Sequence, residues 1–245
     1  MNEVIKLIKN HRSIRKFQDK SIDDSLIQQI IEAAQCASSS TFVQAYSIIG
    51  IKNPEMKKKL AHFSGDQPYV ESAPLFLVFC ADMHRLDLAC RLHDTEMVGD
   101  YTESFIMATV DAALAAQNTM VAAESLGLGG VYIGGIRNHP HEVSALLELP
   151  QFVYPVFGMC LGYPHQNPEI KPRLPMNIVY KEEKYNVLDE EMKIKQYDEK
   201  MEQYYIQRTK GKRSDTWTQQ MAEKMHKETR PHMKEFLASK GFLLK

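Results

Sequence analysis

The sequence ESFIMATVDAALAAQNTMVAAESL at residues 103–126, followed by GLGGVYIGGIRN at 127–138, carries the most information about the fold. The first stretch is apolar nearly all round and contains neither glycine nor proline, so it predicts one long helix. Alanines let such a helix approach its neighbours closely, and we therefore expect it at the centre of a core or at a subunit interface. The seven alanines are Ala108, Ala112, Ala113, Ala115, Ala116, Ala122 and Ala123.

Shorter elements flank this helix on both sides. The glycines predict a strand over 127–136, a helix after Pro140 and another strand over 152–163, closed by Pro164. Upstream, Ser21 and Asp24 resemble a capping box that opens a helix. The direction of the strands stays open at this point. The remaining upstream predictions are a helix over 2–9, buried strands over 42–51 and 75–80, and a charged helix over 55–62 between those strands.

The composition changes at about Asn186, where charged and amide residues become dominant and glycine becomes scarce. We predict a core over residues 1–185 and a helical extension over 186–245. The apolar residues of the extension recur at helical intervals, and we expect it to pack on another surface instead of forming its own core. These residues are Met192, Tyr197, Met201, Tyr204 and Tyr205.

The bulk properties restrict the class of protein. A chain of 245 residues with 44% apolar and 25% charged residues can bury a substantial core. The net charge of −1 gives no overall positive field for a nucleic acid. Lys6, Lys9 and Asn10 interrupt the apolar N-terminal residues, and no later apolar run approaches the roughly 20 residues of a membrane span. We expect a cytoplasmic protein with no membrane partner.

The four cysteines, Cys36, Cys80, Cys90 and Cys160, stand far apart in the sequence. No pair has the spacing of a structural zinc site or a redox dithiol, so we interpret them as reduced and mostly buried. The histidines have neither the spacing nor the companion ligands of a metal site, and we expect no metal.

Three short stretches are candidates for ligand chemistry. HRSIR at 11–15 combines two guanidinium groups, a hydroxyl and an imidazole, which suits a phosphate and a polar ring edge. KPRLP at 171–175 holds Lys171 and Arg173 on one side of a stiff extended backbone. Gly134 and Gly135 let backbone N–H groups approach a flat ligand. Each stretch also has an ordinary interpretation. The first can be a solvated basic turn, the second a solvated cation pair and the third a simple turn.

Several familiar motifs are absent from the sequence. The glycines of 127–135 do not fit G-x-G-x-x-G, because Tyr132 stands where the third glycine belongs, and no Walker P-loop occurs. Ser38, Ser39 and Ser40 lack a G-x-S-x-G context, which disfavours a serine hydrolase. The sequence therefore supports neither of the two common nucleotide-binding loops.

Taken in order, five motifs resemble those of the nitroreductase superfamily, in particular its NADPH-dependent nitroreductase and flavin reductase branch with a long C-terminal extension. The resemblance spans nearly the whole chain, because 204–208 and 213–217 also look like the tail of that branch. The motifs are HRSIRKF at 11–17, SSSTFVQ at 38–44, GDQPYV at 65–70, GLGGVYIGGIRN at 127–138 and KPRLP at 171–175.

The resemblance implies an α+β fold with a mostly antiparallel central sheet flanked by helices. It also implies an intertwined homodimer that binds FMN without a covalent link between its two subunits. The helix over 103–126 would then be the central helix of the dimer.

The resemblance also assigns site residues. Arg12 and Ser13 are similar to ligands of the FMN phosphate, and His11 is similar to part of the same wall. Arg15 resembles the residue that faces the N1 and O2 edge of the flavin, where a fixed cation stabilises the reduced ring. Further implied FMN contacts are Gln67, Tyr69, Tyr132, Ile133, Gly134, Gly135, Lys171 and Arg173 from one subunit, and Ser38, Ser39, Ser40 and Gln44 from the other.

The implied reaction takes hydride from NADPH and reduces nitroaromatics, quinones or free flavins by a ping-pong mechanism, with no catalytic side chain beyond the cofactor. Arg208 and Arg213 resemble tail arginines that bind the extra phosphate of NADPH. The segment 209–212 departs from the loop of other members. The alternatives are a flavin reductase that supplies reduced FMN to a partner, a flavin-binding protein without reductase activity, and a polyanion-binding protein, which the net charge disfavours.

Overall fold

The computed structural model describes residues 1–243 and 245. These residues form two compact units, which we call the main unit (Met1–Pro168 with Arg230–Lys245) and the tail unit (Glu169–Thr229). The boundary expected after residue 185 falls inside the tail unit, and residues 230–245 group with the main unit.

The helices and strands follow the predicted order. The helices of the main unit are α1 (Glu3–Lys9), α2 (Asp24–Gln35), α3 (Pro54–Phe63), α4 (Pro68–Ser72), α5 (His84–Arg91), α6 (Thr102–Ser125), α7 (Pro140–Leu146) and α11 (Met233–Ser239). Its strands are β1 (Tyr46–Ile51), β2 (Leu75–Asp82), β3 (Gly129–Ile133) and β4 (Val153–Gly162). The tail unit contains α8 (Met176–Val179), α9 (Glu190–Thr209) and α10 (Trp217–Met225).

Within the described residues, the four strands form one sheet in the order β1-β2-β4-β3, and every neighbouring pair is antiparallel. The antiparallel sheet implied by the resemblance is therefore confirmed. The register places Tyr46 opposite Ala81 and Ala81 opposite Tyr154, while Ile133 lies opposite Gly158 at the other side. β1 and β3 are thus the two edge strands.

The central strand β2 shows why the sheet is covered on both faces. Alternate side chains of a strand point to opposite faces. Leu75, Leu77 and Phe79 pack in a cluster with residues of α2 and α6. Phe76 and Val78 pack in a second cluster with residues of α3, α4 and α7. All eight positions of β2 are buried, as expected for a strand with helices on both sides.

The alanine-rich helix α6 lies in the core, as predicted. Ala108, Ala112, Ala115, Ala116 and Met120 are completely buried, and the helix contacts all four strands and α2. The expectation about membrane spans needs correction, since α6 has 24 residues and contains an 18-residue stretch with a mean hydropathy of 1.2, enough in length and composition for a span. Its packing against the sheet is that of a core helix in a globular unit.

Several predicted boundaries were wrong. Helix α2 is capped by Asp23, whose carboxylate accepts from Ser25 N–H at 2.8 Å, and not by a box of Ser21 and Asp24. Strand β1 begins at Tyr46 instead of Phe42, because a 3₁₀ turn with left-handed residues precedes it. The strand expected over 127–136 ends at Ile133, where a second 3₁₀ turn, Gly134–Asn138, takes over.

The tail also differs from the expectation. Tyr197, Met201, Tyr204 and Tyr205 of α9 are buried and form a small cluster with Trp217 and Leu174 inside the tail unit. The tail unit therefore has a core of its own. A capping box of Thr216 and Gln219 begins α10. By contrast, Phe236, Leu237 and Phe242 belong to the core of the main unit.

The cysteine prediction holds for two of the four residues. Cys80 and Cys160 are completely buried, and burial raises the pKa of both thiols. Cys36 is exposed and Cys90 is half-buried. Of these two accessible thiols, Cys36 directly follows α2 and Cys90 lies on α5.

Candidate functional site

The loop that follows α1 carries the first group of predicted site residues. Ile14 is buried, and its N–H donates to the carbonyl of Gly130 at 2.9 Å. Two residues later, the carbonyl of Lys16 accepts from His165 N–H at 2.9 Å. These bonds fix the loop against the edge of the sheet, and the two residues that follow the buried Ile14, Arg15 and Lys16, are exposed.

Arg12 is held in place by neutral acceptors alone. Its guanidinium donates to the backbone carbonyl and the side chain of Asn10, to Asn167 Oδ1 at 2.6 Å and to the carbonyl of Pro168 at 3.2 Å. No carboxylate lies within 4 Å of it among residues 1–243 and 245, so its charge is uncompensated. His11, in contrast, contacts Glu124 Oε1 at 2.6 Å through Nδ1.

One continuous chain of contacts joins three distant parts of the sequence, which are represented by Arg15, by Gln67 with Tyr69, and by Gly135. The Arg15 guanidinium lies 5.8 Å from the centre of the Tyr69 ring. Tyr69 Oη donates to Gln67 Oε1 at 2.5 Å, and Gln67 Nε2 donates to the carbonyl of Ser64 at 2.7 Å. The structure thus brings these four predicted residues together.

Gly135 allows the last of these contacts. A Cβ at this position would lie 2.3 Å from the carbonyl oxygen of Ser64 and 2.6 Å from Gln67 Nε2. Only glycine lets the turn after β3 approach the end of α3 this closely. Gly134 is less crowded, because its nearest neighbour would be the Arg137 guanidinium at 3.3 Å.

Tyr132 and Ile133, at the end of β3, have different environments. Ile133 is buried in the core, which leaves only its backbone for a ligand. Tyr132 is half-buried and packs edge-on against Phe157, with ring centres 5.3 Å apart. Burial raises the pKa of Tyr132 to about 12, so its hydroxyl stays protonated at neutral pH.

Ser38, Ser39, Ser40 and Gln44 are not brought together with the residues above. They precede β1, one edge strand, whereas Gly134 and Gly135 follow β3, the opposite edge strand. Three strand spacings separate the two edges, a distance of about 14 Å. Within their own loop, Ser39 Oγ accepts from the N–H of Gln44 at 3.2 Å.

The tail unit assembles the remaining predicted cations around two tyrosines. Lys171 Nζ lies 5.3 Å from the centre of the Tyr205 ring, and the Arg213 guanidinium lies 4.4 Å from the same ring. Arg208 donates to Tyr204 Oη at 2.8 Å. The Tyr204 and Tyr205 rings are 5.3 Å apart. Lys171, Arg208 and Arg213 therefore belong to one cationic cluster.

Other contacts within the tail unit order this cluster. Pro172 accepts from Tyr197 Oη at 2.9 Å, and Arg173 donates to the carbonyl of Lys171 at 3.2 Å. Arg213 is also bound to Asp215 at 2.6 Å, which raises the pKa of the guanidinium. Burial by itself raises the pKa of Tyr205, but Lys171, with Gln220 and Arg213, outweighs it and lowers that pKa overall.

Two arginines next to the Gly134 turn were not predicted. Arg137 donates to the carbonyl of Val156, and Arg230 donates to Asn138 Oδ1 at 2.9 Å. Burial and the nearby Arg230 lower the pKa of Arg137. Neither has an acidic partner in the part of the chain that the structure describes. Arg137 stands inside the quoted GLGGVYIGGIRN motif, whereas no sequence signal points to Arg230.

An antiparallel α+β unit with uncompensated arginines near a glycine turn has the features of a protein that binds a flat, anionic ligand. The comparisons with known proteins identify the family. Residues 8–163 match the Nitroreductase family, and residues 171–245 match the Nitroreductase family, C-terminal domain. The chain belongs to the nitroreductase family.

Individual relatives match over almost their whole length. The NADPH-flavin oxidoreductase of Vibrio harveyi is 46% identical over 244 residues, which cover 98% of this chain and 98% of the relative. The FMN reductase (NADPH) of Bacillus subtilis is 43% identical over 247 residues, with 99% of each chain covered. The solved structure of B. megaterium NfrA1 has a TM-score of 0.97 at 50% identity, covering 99% of this chain and 100% of that one.

Proposed function

We propose that the protein is an FMN-dependent oxidoreductase that takes hydride from NADPH and passes the electrons to small planar acceptors. The observation that carries the proposal is the chain of contacts from Arg15 through Tyr69 and Gln67 to Gly135. Full-length similarity to relatives named as an NADPH-flavin oxidoreductase and an FMN reductase supports the same reaction.

The donor set fits the phosphate of FMN. Arg12 makes hydrogen bonds only to neutral groups, so its positive charge remains available for an anion. Charge-assisted hydrogen bonds to a phosphate are strong and directional. Ser13 follows Arg12 directly and adds a hydroxyl. The resemblance also assigns Lys171 and Arg173, which belong to the tail unit, to the FMN phosphate, and their assignment remains a prediction.

The flavin ring would lie along Gln67, Tyr69 and the glycine turn. The missing side chain at Gly134 suits close approach by a flat ring, whereas the missing side chain at Gly135 lets the turn pack against Ser64 and Gln67. Bound FMN supplies the redox chemistry, since it accepts hydride from a nicotinamide and delivers electrons to an acceptor. Arg15 is exposed and has no acidic partner among the described residues, so its charge can stabilise the negative charge of a reduced ring.

We propose that the active form is a homodimer. Ser38–Ser40 and Gln44 lie at the edge of the sheet opposite to Gly134, so they would contact the flavin bound by a second copy. An exposed apolar surface supports such an interface. On α6 it comprises Ile106, Val110 and Leu114, and on α1 it comprises Val4, Ile5 and Ile8, all between 42% and 55% exposed in the single chain.

Arg208 and Arg213 are the proposed ligands of the extra phosphate of NADPH. Both lie on the Tyr204–Tyr205 pair, and Lys171 adds a third cation to the cluster. A cluster of cations on aromatic rings suits a phosphate next to a planar base. We place the protein in the cytoplasm, where its four unpaired cysteines would stay reduced.

Steady-state kinetics with NADPH test the proposal and separate its variants. We expect parallel double-reciprocal lines with nitrofurazone or a quinone as the acceptor, because donor and acceptor use the same site in turn. Intersecting lines would contradict that order. Faster turnover with free FMN than with nitrofurazone would favour a flavin reductase that supplies a partner. Bound FMN without NADPH oxidation would favour a flavin-binding protein.

A further inference from the structure

The loop of residues 39–45 has a backbone that its own sequence does not favour. Thr41, Phe42 and Gln44 have positive φ values of 43°, 62° and 53°. Residues other than glycine rarely adopt this conformation, and each one costs free energy of about 1 kcal/mol or more. A loop with three of them in four residues needs support from its surroundings.

Asp111, in the middle of α6, provides that support at both ends of the loop. Its Oδ1 accepts from Ser40 N–H at 3.0 Å, and its Oδ2 accepts from Ala45 N–H at 3.0 Å. The side chain is only 1% exposed. No lysine, arginine or histidine lies within 4 Å of this carboxylate among the described residues, so the two backbone N–H groups are its compensation.

The packing of α6 does not require a carboxylate at this position. Ala108, Ala112 and Ala115 surround it on the same buried side of the helix. A buried carboxylate without a cation is costly, whereas an alanine there would pack against the sheet without that cost. The hydrogen bonds that Asp111 makes go to the loop of residues 39–45, and they set the shape of this loop.

We propose that Asp111 is a positioning residue of the cofactor site, which holds Ser39, Ser40 and Gln44 in their binding conformation before FMN arrives. The inference rests on the proposed function, in which this loop contacts the flavin of a second copy. A preformed loop loses less conformational entropy on binding, and the gain appears in the affinity for the cofactor.

The test compares Asp111→Asn with Glu103→Gln in the full-length protein. Asparagine keeps the shape of Asp111 but can accept only one of the two N–H groups. Glu103→Gln removes the same charge from an exposed position of the same helix. We expect the dissociation constant of FMN to rise at least about tenfold, equal to about 1.4 kcal/mol, in Asp111→Asn alone. Amide exchange at Ser40 and Ala45 should also accelerate, while exchange along the sheet stays unchanged.

The other outcomes contradict the inference in distinguishable ways. Suppose that wild type binds FMN and that a folded Asp111→Asn dimer binds it with unchanged affinity. This result overturns the positioning role and leaves the proposed function intact. If amide exchange in Asp111→Asn is faster throughout α6 and the sheet but the FMN affinity is unchanged, Asp111 stabilises the fold and does not position the cofactor site. Wild type that does not bind FMN removes the proposed function as well.

Wild-type apoprotein provides an independent measurement if Asp111→Asn does not fold. We expect the N–H groups of Ser40 and Ala45 to be protected from exchange before FMN is added, while that of Thr41 exchanges freely. Exchange at Ser40 and Ala45 as fast as at Thr41 would mean that the loop is not preset, and the inference would be wrong.

Discussion

Replacing Gly135 by alanine tests the closest backbone approach in the candidate site. The new Cβ would lie 2.3 Å from the carbonyl oxygen of Ser64 and 2.6 Å from Gln67 Nε2. An ordinary carbon–oxygen contact is about 3.3 Å, so one of the two segments must move by about 1 Å. The displaced group is backbone at the end of α3, and it cannot simply rotate away as a flexible side chain would.

The size of the effect follows from this displacement. Overpacking of this kind costs about 1–3 kcal/mol of folding free energy, which lowers the melting temperature of a chain this long by several degrees, about 5 °C. The same movement separates the glycine turn from Gln67. A 1 Å misplacement in a site reduces turnover by about 100-fold, and we expect a weaker affinity for FMN in parallel.

Flavin fluorescence quenching on titration with the apoprotein measures the affinity, and circular dichroism gives the melting temperature. The matched control is Gly50→Ala in β1, where the nearest atom to a new Cβ is Leu77 Cδ2 at an ordinary 3.7 Å. This control should bind FMN and melt like wild type. A Gly135→Ala protein with wild-type FMN affinity and turnover would refute the assignment of this turn to the flavin site.

Three further predictions concern single side chains. Arg15→Ala should keep the fold but weaken FMN binding and lower the reduction potential of the flavin. A redox titration measures this shift, which is about 30 mV for each 1.4 kcal/mol of stabilisation that the reduced flavin loses. Arg15→Lys should recover part of the shift. Arg208→Ala should raise the KM for NADPH more than that for NADH, and equal increases would contradict its role at the extra phosphate. Burial raises the pKa of Tyr154 from 10.0 to about 12. The protonated form is therefore favoured in the folded state, so stability should fall as the pH rises from 10 to 12, and less steeply in Tyr154→Phe.

The sequence predicted the elements that depend on composition. The alanine-rich stretch became the central helix α6, because five of its seven alanines are buried and permit close contact with the rest of the core. The glycine-flanked stretch became β3, and its glycines lie against bulky neighbours such as Ile14 and Leu161. The direction of the strands depends on pairing between distant segments, and it came from the resemblance and not from any local pattern.

The features that the sequence did not predict depend on tertiary contacts. The left-handed residues before β1 are stabilised by Asp111, which lies 66 residues after Ala45, so no local rule places the start of the strand at Tyr46. The tail was expected to lack a core, yet its buried tyrosines form a cluster with Trp217, whose ring packs edge-on against Tyr197. Arg230 comes close to Asn138 only because residues 230–245 return to the main unit.

Most of the candidate site could be named from motifs, but its assembly could not. Arg15, Gln67, Tyr69 and Gly135 were predicted separately, and only the folded chain shows that they are linked by contacts. The structure also separates Ser38–Gln44 from that group by the width of the sheet. That separation is the structural reason for expecting a second copy of the chain in the site.

The most direct test of the proposed function is an anaerobic absorption spectrum of the protein reconstituted with FMN, recorded before and after one equivalent of NADPH is added. We expect the spectrum of bound oxidised flavin at one FMN per chain, followed by rapid bleaching of its visible bands. A protein that fails to retain FMN, or whose bound flavin keeps its oxidised spectrum after NADPH is added, would contradict it.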